Sequence, residues 1–309
     1  MSGQAGLLLA GYTGPPELTA ARALTSWTLD WGGLALTALL GAPYLLGLSR
    51  LRGSGREWPL GRALAYLAGL VVLCVATLSF LGAYAHVLFW VTAVQVALLV
   101  TVVPVLVSLG APLGLLRAAS PRLAGRADRF LASAPVRALT FPVVGAVLVA
   151  AVPFAVYFTP LFEASLRHGA VYWLLHAALV AAGLLFFWPV LAVDAEPRVP
   201  YPVLAVIVLV ETLVDSVPGI VLWLGTGLLA PGYYRDVGRT WGRSLLSDQR
   251  FGGVMLWAIG EVVGLPLLAL VVVGWVRADA REAAQVDAEL DRAEAEARRT
   301  GTPDPPGPS

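Results

Sequence analysis

The chain has 309 residues, 58% hydrophobic and 13% charged, with a net charge of +1 and a mean hydropathy of +0.77. A soluble domain carries about a quarter charged residues, so this balance excludes an ordinary water-soluble protein and points to an integral membrane protein. Net charge near zero leaves no basic field for nucleic acid, and the single cysteine, Cys74, excludes a disulfide framework or a CxxC site within the chain.

In chain order, residues 1–26 read as an extracytoplasmic N-terminal segment. Its short apolar run, Gly6 to Gly11, has no basic residues before it, so no cleavable signal peptide is expected. Seven apolar runs follow, near Gly33–Leu48, Ala63–Ala83, Val87–Leu109, Leu139–Phe158, Ala170–Val193, Val203–Leu229 and Val254–Val276. A backbone in lipid must satisfy its own hydrogen bonds, so each is expected to be a helix. About 20 apolar residues match the hydrocarbon core, and Trp27 and Trp31 offer interfacial anchors at the short first run. The expected fold is an all-α seven-transmembrane bundle over residues 27–276.

All 21 basic residues are arginine, and their placement orients the bundle. The loops after the first, third and fifth spans, together with the C-terminal tail, hold fifteen of them, and the opposite side holds six. The positive-inside rule then predicts the N-terminus outside and the C-terminus inside. Residues 277–299, alanine-rich with interleaved charges, read as a solvated cytoplasmic helix. Residues 300–309, rich in proline and glycine, read as a disordered tail.

Polar residues within the spans carry the chemistry. His176 lies about 9 Å below the outer end of the fifth span at about 1.5 Å per residue, and His86 lies at the outer mouth of the third. Asp215 is near the middle of the sixth span with Glu211 one turn further in, and Glu261 is in the outer half of the seventh. Glu211 and Asp215 share a helix face, and Pro218–Gly219 beyond them predicts a kink. Cys74 reads as a small packing residue and His168 as a histidine of the outer loop. Intramembrane ionisable groups mark functional sites by default, here a metal or proton site open to the outer compartment. The competing reading is interhelical hydrogen bonding that fixes the bundle. No GxxxxGK[ST] or HExxH motif is present, and no GxSxG stands at a strand-to-helix turn, so no enzymatic activity is expected.

Several stretches carry a resemblance: GREWPLGRALAYLAGL (Gly55–Leu70), LGAP (Leu109–Pro112), YFTPLFEASL (Tyr157–Leu166), LLHAALVAAGLLFFWPVLAVD (Leu174–Asp194), LLAPGYY (Leu228–Tyr234) and SDQRFGGVMLWAIGE (Ser247–Glu261). In these the chain resembles the CtaG-type cytochrome c oxidase assembly factors, bacterial seven-span proteins linked to copper delivery. The resemblance implies a multi-pass cell-membrane protein whose partners, besides the bilayer, are oxidase subunits or a copper donor. It also implies an HMxxH-like element in the third span, where this chain has Thr92, Ala93 and Val96. Further histidines are implied in the fifth span, where Tyr172 and Ala178 stand, and one in the sixth, where Asp215 stands. The metal ligands left to consider are His176 and Asp215, then His86, Glu261 and Met255, with copper as the implied metal. A metal-free scaffold or accessory subunit is the second reading. A proton or small-solute transporter using Glu211, Asp215 and Glu261 is the third.

Overall fold

The computed structural model describes residues 12–194 and 199–300, with side chains to residue 292; every regular element among them is helical. The expected disordered tail at 300–309, apart from Thr300 at the end of the last helix, and the first eleven residues lie outside the described residues.

A short helix α1 (Ala20–Thr25) precedes α2 (Trp31–Gly53), which starts where the Asp30 carboxylate accepts the Gly32 N–H at 3.0 Å. Helix α3 (Leu60–Leu78) returns and stops at Ser79, whose hydroxyl bonds the Val75 carbonyl and caps α4 (Phe80–Tyr84). The third span is one apolar run in sequence and three pieces in space. It comprises α5 (Phe89–Ala97), a π-helical turn at Leu98–Val102, and α6 (Val103–Leu109). Pro104 explains the widened turn, because a proline has no N–H and its ring crowds the carbonyl four residues back, that of Val100. Gly183 of the fifth span uses that opening: a Cβ there would meet the Val100 carbonyl and the Pro104 ring.

Three short helices, α7 (Pro112–Ala119), α8 (Pro121–Leu131) and α9 (Ala134–Leu139), fill the long arginine-rich loop. Helix α10 (Pro142–Phe158) breaks at Thr159–Pro160, and α11 (Leu161–Arg167) leaves at 73°. Next come α12 (Gly169–Leu191), α13 (Tyr201–Leu224), a short α14 (Pro231–Val237) and α15 (Leu245–Thr300). The kink expected at Pro218–Gly219 does not break α13. Both residues are buried, and Gly219 lets α15 approach until an added Cβ would stand 2.8 Å from the Gly253 carbonyl. The charged stretch 277–299 continues the last span as part of one helix, α15.

Six helices among the described residues are long and apolar enough to cross a membrane, and the bent α10–α11 pair makes a seventh if counted as one span. Their ends fall into two sets. At one, Tyr84 donates to the Pro16 carbonyl, the Phe89 N–H to Asp248, and Tyr233 to the His86 carbonyl. At the other, Tyr44 donates to the Gly110 carbonyl and stacks on Tyr66 with ring centroids 3.6 Å apart, and Asp194 accepts the Leu113 and Gly114 N–H groups. Helix α15 packs along α13 and across α5, while α12 lies between α10 and α6.

Candidate functional site

The polar residues of the spans sort into two clusters. The first gathers at the end of the bundle where α12 begins. His176 is 4% exposed, and its ring lies 4.0 Å, centroid to centroid, from that of Tyr172 one turn earlier. His86, in the turn between α4 and α5, approaches the same tyrosine at 4.9 Å. One phenol ring therefore packs against both imidazoles. The Tyr172 hydroxyl donates to Gln95 Oε1 at 3.2 Å, and Gln95 Nε2 donates to the Ala76 carbonyl at 2.7 Å. Gln95 is fully buried, so this link ties α12, α5 and α3 at one depth. His176 Nδ1 is buried with no hydrogen-bond partner, as is Oδ2 of Asp30, whose charge reaches both His86 and Tyr172.

The second cluster lies between α13 and α15. Glu261 Oε1 accepts from Ser216 Oγ at 2.7 Å and from Trp257 Nε1 at 3.2 Å. Asp215 lies against Gly260, where a Cβ would come within 2.9 Å of its Oδ2. Glu211 is 6% exposed and opens onto an apolar groove between α10 and α13. Met255 is half-buried on α15 and makes no polar contact among the described residues. Cys74 pairs with the Thr37 hydroxyl at 3.7 Å, and His168 is exposed as the residue before α12.

His86 and His176 thus come together, and Asp215 and Glu261 come together, as two separate pairs. Among the described residues no three of His, Cys, Asp and Glu form a group that could hold a metal ion. The positions where the resemblance implies third-span ligands are filled as core. Thr92 Oγ1 donates to the Ala85 carbonyl at 2.6 Å, and Ala93 and Val96 are buried. Ala178 is exposed on α12 and faces away from the cluster. Two imidazoles beside a tyrosine ring are donors that suit copper, and no third His, Cys, Asp or Glu joins them among the described residues.

Sequence reasoning passed over two residues of this region. Gln95 carries no charge and reads as a span residue; its bond to Tyr172, which the resemblance marks as a histidine position, becomes visible only when α5 and α12 are packed. Asp30 caps α2 through one carboxylate oxygen, and its other oxygen is buried. Also unforeseen is a buried ion pair between the loop after α14 and the first turn of α15. Arg239 Nη2 lies 3.4 Å from Asp248 Oδ2, with both side chains 2% exposed, and the same oxygen accepts the Phe89 N–H at 2.9 Å. Gln249 bonds the Leu229 N–H and the Gly227 carbonyl, so the polar part of Ser247–Glu261 fastens loops. Nearby Tyr233 lies where burial pushes its hydroxyl up, an effect partly offset by the Arg167 guanidinium.

The chain matches the family described as cytochrome c oxidase caa3 assembly factor over residues 42–278. Uncharacterized proteins of Mycobacterium bovis and Mycobacterium tuberculosis are each 32% identical to it over 292 residues, which cover 91% of this chain and 44% of theirs. One from Mycobacterium leprae is 31% identical with the same coverage. The chain therefore spans less than half the length of these curated relatives. No solved structure matches it.

Proposed function

The chain belongs to the family of cytochrome c oxidase caa3 assembly factors, and on that premise we propose that it serves oxidase assembly as a non-catalytic, multi-pass scaffold of the bacterial cell membrane. The N-terminus faces out and the C-terminus in, as the arginine distribution favours. The observation that carries the scaffold form is the packing at Thr92, Ala93 and Val96. Where a third-span donor set would stand, side chains without metal affinity fill the core. Its partners are membrane subunits of the oxidase, held while they receive their cofactors.

A copper hand-off is the second reading, supported by the buried, unpartnered Nδ1 of His176 close to His86. Copper would then be cargo taken from a donor, held by two imidazoles and passed on. A strain lacking the chain separates the two. The scaffold predicts lost oxidase assembly that added copper does not restore, and no Cu(I) binding by the purified protein against a competing chelator. One equivalent of Cu(I), abolished by His176→Ala and unchanged by Asp215→Asn, would replace the scaffold by the hand-off.

A further inference from the structure

The long loop between the third and fourth spans builds a cup of about 760 Å³ against the end of α12. Its wall is apolar where Leu113, Leu131, Phe141 and Trp188 face it, and its charges are Arg117, Asp128, Arg137 and Asp194. Three of these four are spent. Asp194 accepts the Leu113 and Gly114 N–H groups and the Trp188 indole N–H. Arg117 pairs with Asp128 at 2.8 Å and donates to the Asp194 carbonyl at 3.1 Å. Arg137 alone has no side-chain partner among the described residues. The cup therefore presents one free guanidinium beside a greasy wall.

The helix that borders it has the composition of an interfacial element. On α8, Leu123, Ala127 and Phe130 follow helical spacing along one side, and Arg122, Arg126 and Arg129 lie on another. Phe130 is 67% exposed and Leu123 40%, so the protein itself does not cover the apolar side. Such a helix rests at the boundary of headgroups and acyl chains. Phe141 at the start of α10 and Trp188 near the end of α12 line the cup, so its guanidinium lies at the level where those two helices end.

We propose that this cup binds an anionic phospholipid, its phosphate on Arg137 and the start of its acyl chains along Leu131, Phe141 and Trp188. A guanidinium fork matches two phosphate oxygens at once, and the leaflet on the arginine-rich side supplies the anionic lipid. The apolar wall is what distinguishes the lipid from free phosphate.

Native mass spectrometry of the full chain in detergent tests this, with phosphatidylglycerol and phosphatidylcholine of equal acyl length. The wild type should retain phosphatidylglycerol in preference, Arg137→Ala should cut that retention about tenfold, and Arg137→Lys should keep part of it. Excess inorganic phosphate should leave the lipid in place. Equal retention by Arg137→Ala, no preference in the wild type, or displacement by inorganic phosphate would each overturn the proposal. A photoactivatable phosphatidylglycerol on the wild type reads the site without a variant. Adducts on α8, α9 or the end of α12 support it, and adducts confined elsewhere overturn it.

Discussion

The rings of Tyr172 and His176 meet at a 51° tilt one helical turn apart, with centroids 4.0 Å from each other, and the Tyr172 hydroxyl donates to Gln95. That contact crosses from α12 to α5, so it couples two spans at a depth where water cannot substitute. A double-mutant cycle with Tyr172→Phe and Gln95→Leu should give a coupling energy of about 1 kcal/mol, the usual scale of interhelical hydrogen bonds in membranes. Thermal unfolding in detergent measures it. Additive effects would mean that the tyrosine is held by ring packing alone.

The same geometry makes a gain-of-function prediction. Tyr172 packs against both His86 and His176, so Tyr172→His would put a third imidazole beside the two existing ones. A third nitrogen donor there would add to the two imidazoles already present. Cu(I) titration against a chelator should show binding in Tyr172→His beyond that of the wild type. No gain would show that the rings are too rigidly packed to converge on one ion.

At Gly183 the prediction concerns backbone approach. The π-helical turn at Leu98–Val102 and the Gly183 surface fit each other, and an added Cβ would strike the Val100 carbonyl and the Pro104 ring. Backbone cannot step aside as a flexible side chain can, so Gly183→Ala should destabilise by about 1–3 kcal/mol, the range for overpacking. Pro104→Ala should allow the helix to close its normal bonds. If Gly183→Ala melts like the wild type, the close approach of α12 to the bulge is wrong.

How much of this was legible beforehand follows from what each feature depends on. The seven apolar runs and the charged end of the last helix are local in sequence and emerge as helices close to where they were read. The break of the third span was hidden because Pro104 sits in an unbroken apolar stretch, and only the partner glycine shows why a widened turn is tolerated. His86 and His176 are legible as isolated polar residues and Tyr172 as a position where the resemblance implies a histidine, but the meeting of the three rings is not. Their association depends on how α4, α5 and α12 pack, and periodicity says little when every helix face is apolar. The Arg239–Asp248 pair is hidden for a similar reason: Arg239 lies in the loop after α14 and Asp248 in the first turn of α15, and no local pattern joins them.

That pair is the most exacting test of the loop structure. Asp248 holds both Arg239 and the N-terminus of α5, so its removal strands a buried guanidinium and frees the Phe89 N–H. Asp248→Ala should therefore cost about 3–5 kcal/mol, the scale for breaking a buried ion pair from one side. Asp248→Asn, which keeps an acceptor for Phe89, should cost less. Equal melting temperatures for the alanine variant and the wild type would mean that the pair is open to water.

Orientation can be read with a single thiol. Cys74 is the only cysteine, so a Cys74→Ser background leaves no native site for a thiol reagent. Ser244 precedes α15 on the side of the His86–Tyr172–His176 cluster, and Ser120 stands between α7 and α8 in the arginine-rich loop. With the N-terminus outside, a membrane-impermeant maleimide applied to intact cells should label Ser244→Cys and leave Ser120→Cys unlabelled until the membrane is opened. The reverse pattern would invert the bundle and put the two histidines on the cytoplasmic side. Copper arriving from outside could then not reach them directly, and the hand-off reading would fall with the orientation.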